Sequence, residues 1–246
     1  MNITNLKNKL LLKYKNNILN QCEECSKNMN FSTSCKNDCY KKVCRAQIFI
    51  NSGIPLKYID LPISIFENHT KKTRIVKNVQ LRKEVYDEVN KYISKLEENV
   101  NLGKGLLLFG GFGTGKSTLS MNIAKEAILL NKKVCVREFS EMVKISQSGY
   151  CIESEEPLDI FQEFINTDLY CIENLDWVYQ KTNSDYVSMF LDNLISLASK
   201  YNISVIITSN MNDKDIKKEF NEHIYSVLHE ICTIKDVPGE DIRLKK

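Results

Sequence analysis

Short apolar runs alternate along the chain with stretches in which apolar residues recur every three or four positions. A run of four to six mainly apolar residues predicts a buried strand, and the longer spacing predicts a helix with one apolar face. The predicted strands are 106–109, 134–139, 169–174, 204–208 and 231–235. The predicted helices are 3–19, 79–100, 119–130, 158–165, 185–201 and 213–231. This alternation predicts an α/β fold, a parallel sheet with helices on both faces.

A glycine-rich segment separates the first of these strands from the next helix. Residues 110–117 read GGFGTGKS and fit G-x-x-x-x-G-K-[ST], the pattern of loops that cradle nucleotide phosphates. We expect Lys116 to reach the β- and γ-phosphates and the Ser117 hydroxyl to ligate Mg²⁺. The predicted nucleotide-binding residues are Gly110, Gly111, Phe112, Gly113, Thr114, Gly115, Lys116, Ser117 and Thr118. The alternative is an ordinary glycine-rich turn between a strand and a helix.

An acid ends the third predicted strand. In nucleotide hydrolases with this loop, an acid after a later strand holds Mg²⁺, and Glu173 occupies that place. The alternative is an acid that merely ends a strand. Glu173 is therefore the second candidate ligand for Mg²⁺, beside Ser117.

Five of the nine cysteines lie near the N-terminus. They are Cys22, Cys25, Cys35, Cys39 and Cys44, with the spacing C-x2-C-x9-C-x3-C-x4-C. Paired cysteines of this kind indicate a metal site, and four thiolates suit tetrahedral Zn²⁺. An iron–sulfur cluster and unligated thiols are the alternatives. Four of the five are expected to bind the metal, and the spacing does not decide which one is spare.

Charge and composition divide the chain. Residues 1–50 carry nine Lys or Arg and three Asp or Glu, whereas the whole chain has a net charge of +3. We expect a cysteine-rich, metal-binding module at 1–50, a connector at 51–77 and an ATP-binding domain at 78–246. The basic module predicts an anionic partner, although solvated lysines without a partner would look the same. With neither a membrane-spanning apolar run nor a signal peptide, the expected location is the cytoplasm.

Four stretches resemble the AAA+ ATPases, and more narrowly the DnaC/DnaI-type helicase loaders and their IstB-type relatives. They are GKGLLLFGGFGTGKSTL (103–119), DLYCIENL (168–175), ISVIITSN (203–210) and PGEDIRLKK (238–246). The resemblance implies ATP and Mg²⁺ binding, a homo-oligomer, and work with a replicative helicase or DNA. It also implies that Asn210 is the sensor that orients the γ-phosphate or the attacking water. Arg243 matches an arginine in the family's ending.

The chain departs from the resemblance at positions that matter for hydrolysis. Where the family has two successive acids, this chain has Glu173 and Asn174, and an amide does not take up a proton near neutral pH. Val227 stands where the family places an arginine that reaches the neighbouring subunit. These departures predict slow or absent hydrolysis, unless Asp176 substitutes for the missing base. The alternatives are a nucleotide-gated scaffold that does not hydrolyse ATP, and an IstB-like transposition helper on duplex DNA.

Overall fold

The structure is a computed structural model of the chain. It describes residues 3–22, 25, 35–71, 76–149, 158–177, 184–211, 213–220 and 222–241. The helices are α1 (Ile3–Gln21), α2 (Cys39–Asn51), α3 (Ser64–Lys71), α4 (Val76–Ser94), α5 (Leu96–Asn101), α6 (Lys116–Leu129), α7 (Phe139–Ser148), α8 (Ile160–Ile165), α9 (Ser184–Tyr201), α10 (Asp213–Glu219) and α11 (Glu222–Ile231). The strands are β1 (Gly105–Phe109), β2 (Val134–Glu138), β3 (Leu169–Glu173), β4 (Ser204–Ser209) and β5 (Cys232–Asp236).

The five strands form one parallel sheet in the order β2-β3-β4-β1-β5. Successive residues of a strand face opposite sides, so Leu106 and Leu108 lie in one apolar cluster and Leu107 in the other. Helices cover both faces, which explains why the central strands are almost continuously apolar. The α/β fold with a parallel sheet, predicted from the alternating pattern, is confirmed.

The N-terminal helices pack on one another, and α2 also contacts α6, which covers one face of this sheet. Tyr14 of α1 and Val43 of α2 belong to the same buried cluster as Leu106 of β1. The hydroxyl of Tyr14 also donates to Asp60 Oδ1 over 2.8 Å. The cysteine-bearing segment therefore lies against the segment that links it to the sheet.

Several elements differ from their predicted extent, among them the helix predicted over 213–231, which is divided into α10 and α11. The helix predicted over 79–100 is divided into α4 and α5 at Lys95, which has φ −116° and ψ 25°. At the break, the side chain of Asn99 donates to the Tyr92 carbonyl over 3.0 Å, and this bond competes with the helical pattern. The predicted connector contains a helix, α3, whose Phe66 is buried at 1% exposure.

Among the described residues, no helix is both long enough and apolar enough to cross a membrane. Arg243, in the ending that resembles the helicase loaders, lies outside the described residues, which extend to Asp241.

Candidate nucleotide-binding site and cysteine cluster

The glycine-rich loop joins β1 to α6 at the carboxyl edge of the sheet. Gly110, Gly113 and Gly115 have φ of 141°, 67° and 105°, a region that side chains disfavour. The Nζ of Lys116 turns back over the loop and donates to the carbonyls of Gly110 and Gly111 at 2.8 and 2.7 Å. The loop thus holds an ammonium group where the sequence pattern expects a phosphate contact.

Three polar residues form a chain beside this loop. Lys116 Nζ donates to Asn210 Oδ1 over 2.9 Å, and Asn210 Nδ2 donates to Asp176 Oδ2 over 2.8 Å. Asp176 Oδ1 also accepts from the backbone N–H of Asn210 over 2.6 Å. Asp176 is buried at 4% exposure and both of its oxygens hold Asn210, so this carboxylate is not placed to replace the missing base.

Glu173 ends β3 behind α6. Its side chain is 5% exposed, and Oε1 has no hydrogen-bond partner among the described residues. Burial raises the pKa of this carboxyl, whereas the nearby Ser117 hydroxyl acts in the opposite direction. An unsatisfied buried carboxylate oxygen facing a hydroxyl is a donor set that suits a hard divalent cation such as Mg²⁺.

Asn174 follows Glu173 with φ 55° and lines the cavity beside the loop. Its backbone N–H donates to Thr208 Oγ1 over 3.0 Å, and its side-chain amide donates to Glu138 Oε2 over 2.8 Å. Glu138 lies at the end of β2 and was not among the residues expected from the sequence.

The cavity beside the loop has a volume of about 400 Å³. Its polar side includes Lys116, Ser117, Asn174 and Asn210. The other side is formed by the connector, through Lys57, Tyr58, Leu61, Ile65 and Phe66. The sequence patterns did not predict this wall of the cavity.

Two buried cations hold the cavity wall in place. Lys125 of α6 donates to the carbonyls of Tyr58 and Leu61 at 2.9 and 2.6 Å. Arg82 of α4 donates through Nη1 to the carbonyls of Thr114 and Pro238, each over 2.8 Å. The Arg82 guanidinium also lies 4.2 Å from the centre of the Phe66 ring. Burial lowers the pKa of Arg82 to about 10, so it stays charged at neutral pH.

The C-terminal segment passes over the loop. A Cβ built on Gly113 would collide with the carboxylate of Asp241, and one built on Gly239 would lie 2.8 Å from Arg82 Nη1. The segment that precedes Arg243 therefore touches the loop, although Arg243 itself is outside the described residues.

Four of the five N-terminal cysteines come together in a buried cluster. The Sγ atoms of Cys22, Cys25, Cys35 and Cys39 all lie within 4.8 Å of one another, whereas Cys44 is exposed on α2. The Sγ–Sγ distances are 3.6 Å for Cys22–Cys35 and 3.7 Å for Cys35–Cys39. Zn–S bonds of ~2.3 Å in a tetrahedron imply Sγ–Sγ distances of about 3.8 Å. The cluster therefore fits a four-thiolate metal site, with Cys44 left out.

The surroundings of the cluster differ from one thiol to another. Asn37 Nδ2 donates to Cys22 Sγ over 3.4 Å, and this bond lowers the pKa of the Cys22 thiol. Burial raises the pKa of the Cys39 thiol. The thiolate is the form of cysteine that binds metal, and burial of the cluster disfavours its negative charge. The positive charge of a bound cation would offset that cost.

Scans of protein-family models and of curated proteins give no match to this chain. Among solved structures, it is similar to the DnaC helicase loader, with a TM-score of 0.54 and 15% identity over 63% of this chain and 89% of that one. DnaI gives a TM-score of 0.52 and 16% identity over 65% of this chain and 84% of that one. AMPPCP-bound DnaA from Aquifex aeolicus gives 0.50 and 12% over 63% of this chain and 46% of that one. At such identities the likeness is one of fold, and the chain has a DnaC/DnaI-like AAA+ fold with a buried four-cysteine cluster at its N-terminus.

Proposed function

We propose that this chain binds ATP with Mg²⁺ at the glycine-rich loop, and that the nucleotide controls its assembly and its contact with a replicative helicase or DNA. The observation that carries the proposal is the cavity beside the loop, polar at Lys116, Ser117 and Asn210 and apolar along the connector. This division matches a nucleotide, whose triphosphate is anionic and whose base has flat, aromatic faces.

Each end of the cavity offers the contacts that its half of the nucleotide needs. Amide groups at the start of α6 and the Lys116 ammonium suit the phosphates. Ser117 and Glu173 would hold Mg²⁺, which neutralises charge on the β- and γ-phosphates when bound. Tyr58, Leu61 and Phe66 provide the apolar surface for the base.

The proposal of a helicase or DNA partner rests on the positive charge of the N-terminal segment and on the fold. The segment 1–50 is basic and bears the cysteine cluster, which we propose holds one Zn²⁺. A positively charged module attached to an AAA+ fold suits an anionic partner, either single-stranded or duplex DNA, or an acidic protein surface. We propose a cytoplasmic homo-oligomer, as the sequence resemblance to helicase loaders implies, and the likeness of fold to the DnaC helicase loader supports that resemblance.

A second function, a nucleotide-gated scaffold without hydrolysis, is favoured by one observation. Asn174 presents an amide to the cavity where hydrolases of this type present an acid. In that case the protein would bind ATP, assemble and keep the nucleotide intact.

The test is an ATP titration by calorimetry, with Lys116→Ala as the variant and Lys104→Ala, an exposed lysine just before β1, as the control. We expect ATP binding in the native protein and the control, and none in Lys116→Ala. Light scattering with and without ATP then measures assembly. Equal ATP affinity in Lys116→Ala and the native protein would overturn the assignment of the loop.

A further inference from the structure

Glu138 has an unusual place at the junction of β2 and α7. It is the residue that precedes the first turn of α7, with φ −69° and ψ 133°, and its side chain makes no capping bond to that helix. Instead, Oε2 accepts a hydrogen bond from the side-chain amide of Asn174 over 2.8 Å. The carboxylate is thus turned away from its own helix and toward the end of the neighbouring strand.

The sheet explains how this carboxylate comes to lie beside a residue that lines the cavity. Strands β2 and β3 are parallel neighbours, and Glu138 is in register with Glu173. The two strands therefore end at the same edge, and Asn174, the next residue after β3, lines the cavity. Its backbone is fixed by the bond to Thr208 Oγ1, so its amide is presented between the cavity and Glu138.

The other described acids at this edge have different places. Glu173 is buried behind α6, close to the Ser117 hydroxyl. Both carboxylate oxygens of Asp176 accept hydrogen bonds from Asn210. Asp236 lies at the end of β5, beside Gly110 and on the far side of β1 from β3. Asp241 lies on the C-terminal segment, against Gly113 of the loop. Glu138 is exposed, and its carboxylate stands one hydrogen bond from an amide that lines the cavity.

We propose that Glu138 is the general base for hydrolysis of the nucleotide, so that β2 supplies the acid that is absent from position 174. The inference rests on the proposed function, since it needs ATP in the cavity. Glu138 accepts a proton from water, and the water oxygen forms a bond to the γ-phosphorus. The bond from that phosphorus to the bridging oxygen breaks, ADP leaves with the electron pair, and inorganic phosphate is the second product.

Asn174 is a positioning residue in this scheme. Its amide donates to one carboxylate oxygen of Glu138 and leaves the other oxygen to accept from water. Glu138 thus accepts the proton while Asn174 positions it. In hydrolases with an acid at position 174, that acid would do this alone. The sequence-based expectation of slow or absent hydrolysis rested on residues 173–176 and on Val227, and it did not include the end of β2.

Glu138→Gln separates this role from a structural one. A glutamine oxygen still accepts the bond from Asn174, so folding and ATP affinity are expected to stay within about twofold of the native values. A glutamine does not take up a proton, so ATP turnover is expected to fall about 10²-fold or more. The matched control is Glu98→Gln, an exposed glutamate of α5, which is expected to turn over ATP at the native rate.

The readouts are ATP affinity, melting temperature, turnover with Mg²⁺ and single-stranded DNA, and the identity of the nucleotide that stays bound. Glu138→Gln is expected to retain ATP where the native protein retains ADP. The exchange variant Glu138→Asn/Asn174→Glu keeps the combined side-chain length and returns an acid to β3. It is expected to turn over ATP at least tenfold faster than Glu138→Gln.

Two results would overturn the assignment of Glu138 while leaving ATP binding intact. One is native turnover in a folded Glu138→Gln variant. The other is a native protein that binds ATP with Mg²⁺ and DNA present and does not turn it over. A native protein that binds no ATP would instead remove the proposed function itself.

Discussion

The carboxylate of Asp176 fixes the orientation of the Asn210 side chain. Asp176 accepts bonds from both the backbone N–H and the Nδ2 of Asn210, at 2.6 and 2.8 Å. The Lys116 ammonium can donate hydrogen bonds but cannot accept them. Asn210 must therefore turn its oxygen toward Lys116 and its amide nitrogen toward Asp176. Asp176 thereby orients the Asn210 amide, and that amide in turn helps to hold the Lys116 ammonium in place.

Asp176→Asn should disturb the loop lysine without removing any side-chain volume. The new amide would place a donor against Asn210 Nδ2, so that Asn210 turns over and presents its own donor to Lys116. We expect ATP affinity to fall about tenfold, or ~1.4 kcal/mol, in a calorimetric titration. Asp87→Asn, an exposed aspartate on α4, is the control. Native affinity in Asp176→Asn would show that Asn210 does not position Lys116.

Arg82→Met should lower the free energy of unfolding. Arg82 Nη1 donates to the carbonyls of Thr114 and Pro238, and methionine would leave two acceptors at a buried site without that donor. We expect a loss of ~2–4 kcal/mol in urea denaturation. Lys83→Met changes the exposed neighbour on the same helix and should cost less than ~0.5 kcal/mol. Equal losses in the two variants would contradict the bridging role of Arg82.

The parts of the site that the sequence predicted are those in which neighbouring residues act together. The loop Gly110–Ser117 and the strand end at Glu173 each depend on a few consecutive residues, so their spacing is visible in one dimension. The cysteines are similar, because helix α2 and a short turn bring Cys35 and Cys39 together.

The parts that the sequence did not predict depend on which strands and segments become neighbours. Glu138 meets Asn174 because β2 lies next to β3 in the sheet, which no local pattern reveals. Arg82 is buried beneath a loop 32 positions further along the chain. Lys125 reads as a polar position of α6, yet it is 7% exposed because three connector carbonyls surround its ammonium group.

The cysteine cluster predicts a particular pattern of metal loss. Metal analysis of protein purified without chelator should find about one zinc per chain. Cys39→Ser should lose the metal, because its Sγ lies among the four clustered sulfurs. Cys44→Ser should retain it, because Cys44 is exposed outside the cluster. Absence of metal from the native protein, or its loss from Cys44→Ser alone, would contradict a site made of the other four cysteines.

Lys125→Met should weaken binding of the base more than binding of the phosphates. The Lys125 ammonium holds the carbonyls of Tyr58, Ile59 and Leu61, and burial already lowers its pKa. Without it, the connector loses its attachment to α6, and the apolar side of the cavity should loosen while the loop keeps its shape. We expect ATP affinity to fall about tenfold and the affinity for inorganic triphosphate to change less than twofold, both by calorimetry.

The control for this comparison is Lys133→Met, an exposed lysine just before β2, which should leave both affinities unchanged. Because α6 begins at the glycine-rich loop, the alternative is that Lys125 supports the loop through this helix. That alternative requires ATP and inorganic triphosphate to lose affinity by the same factor in Lys125→Met. The ratio of the two affinities therefore distinguishes a lysine that shapes the base pocket from one that supports the phosphate site.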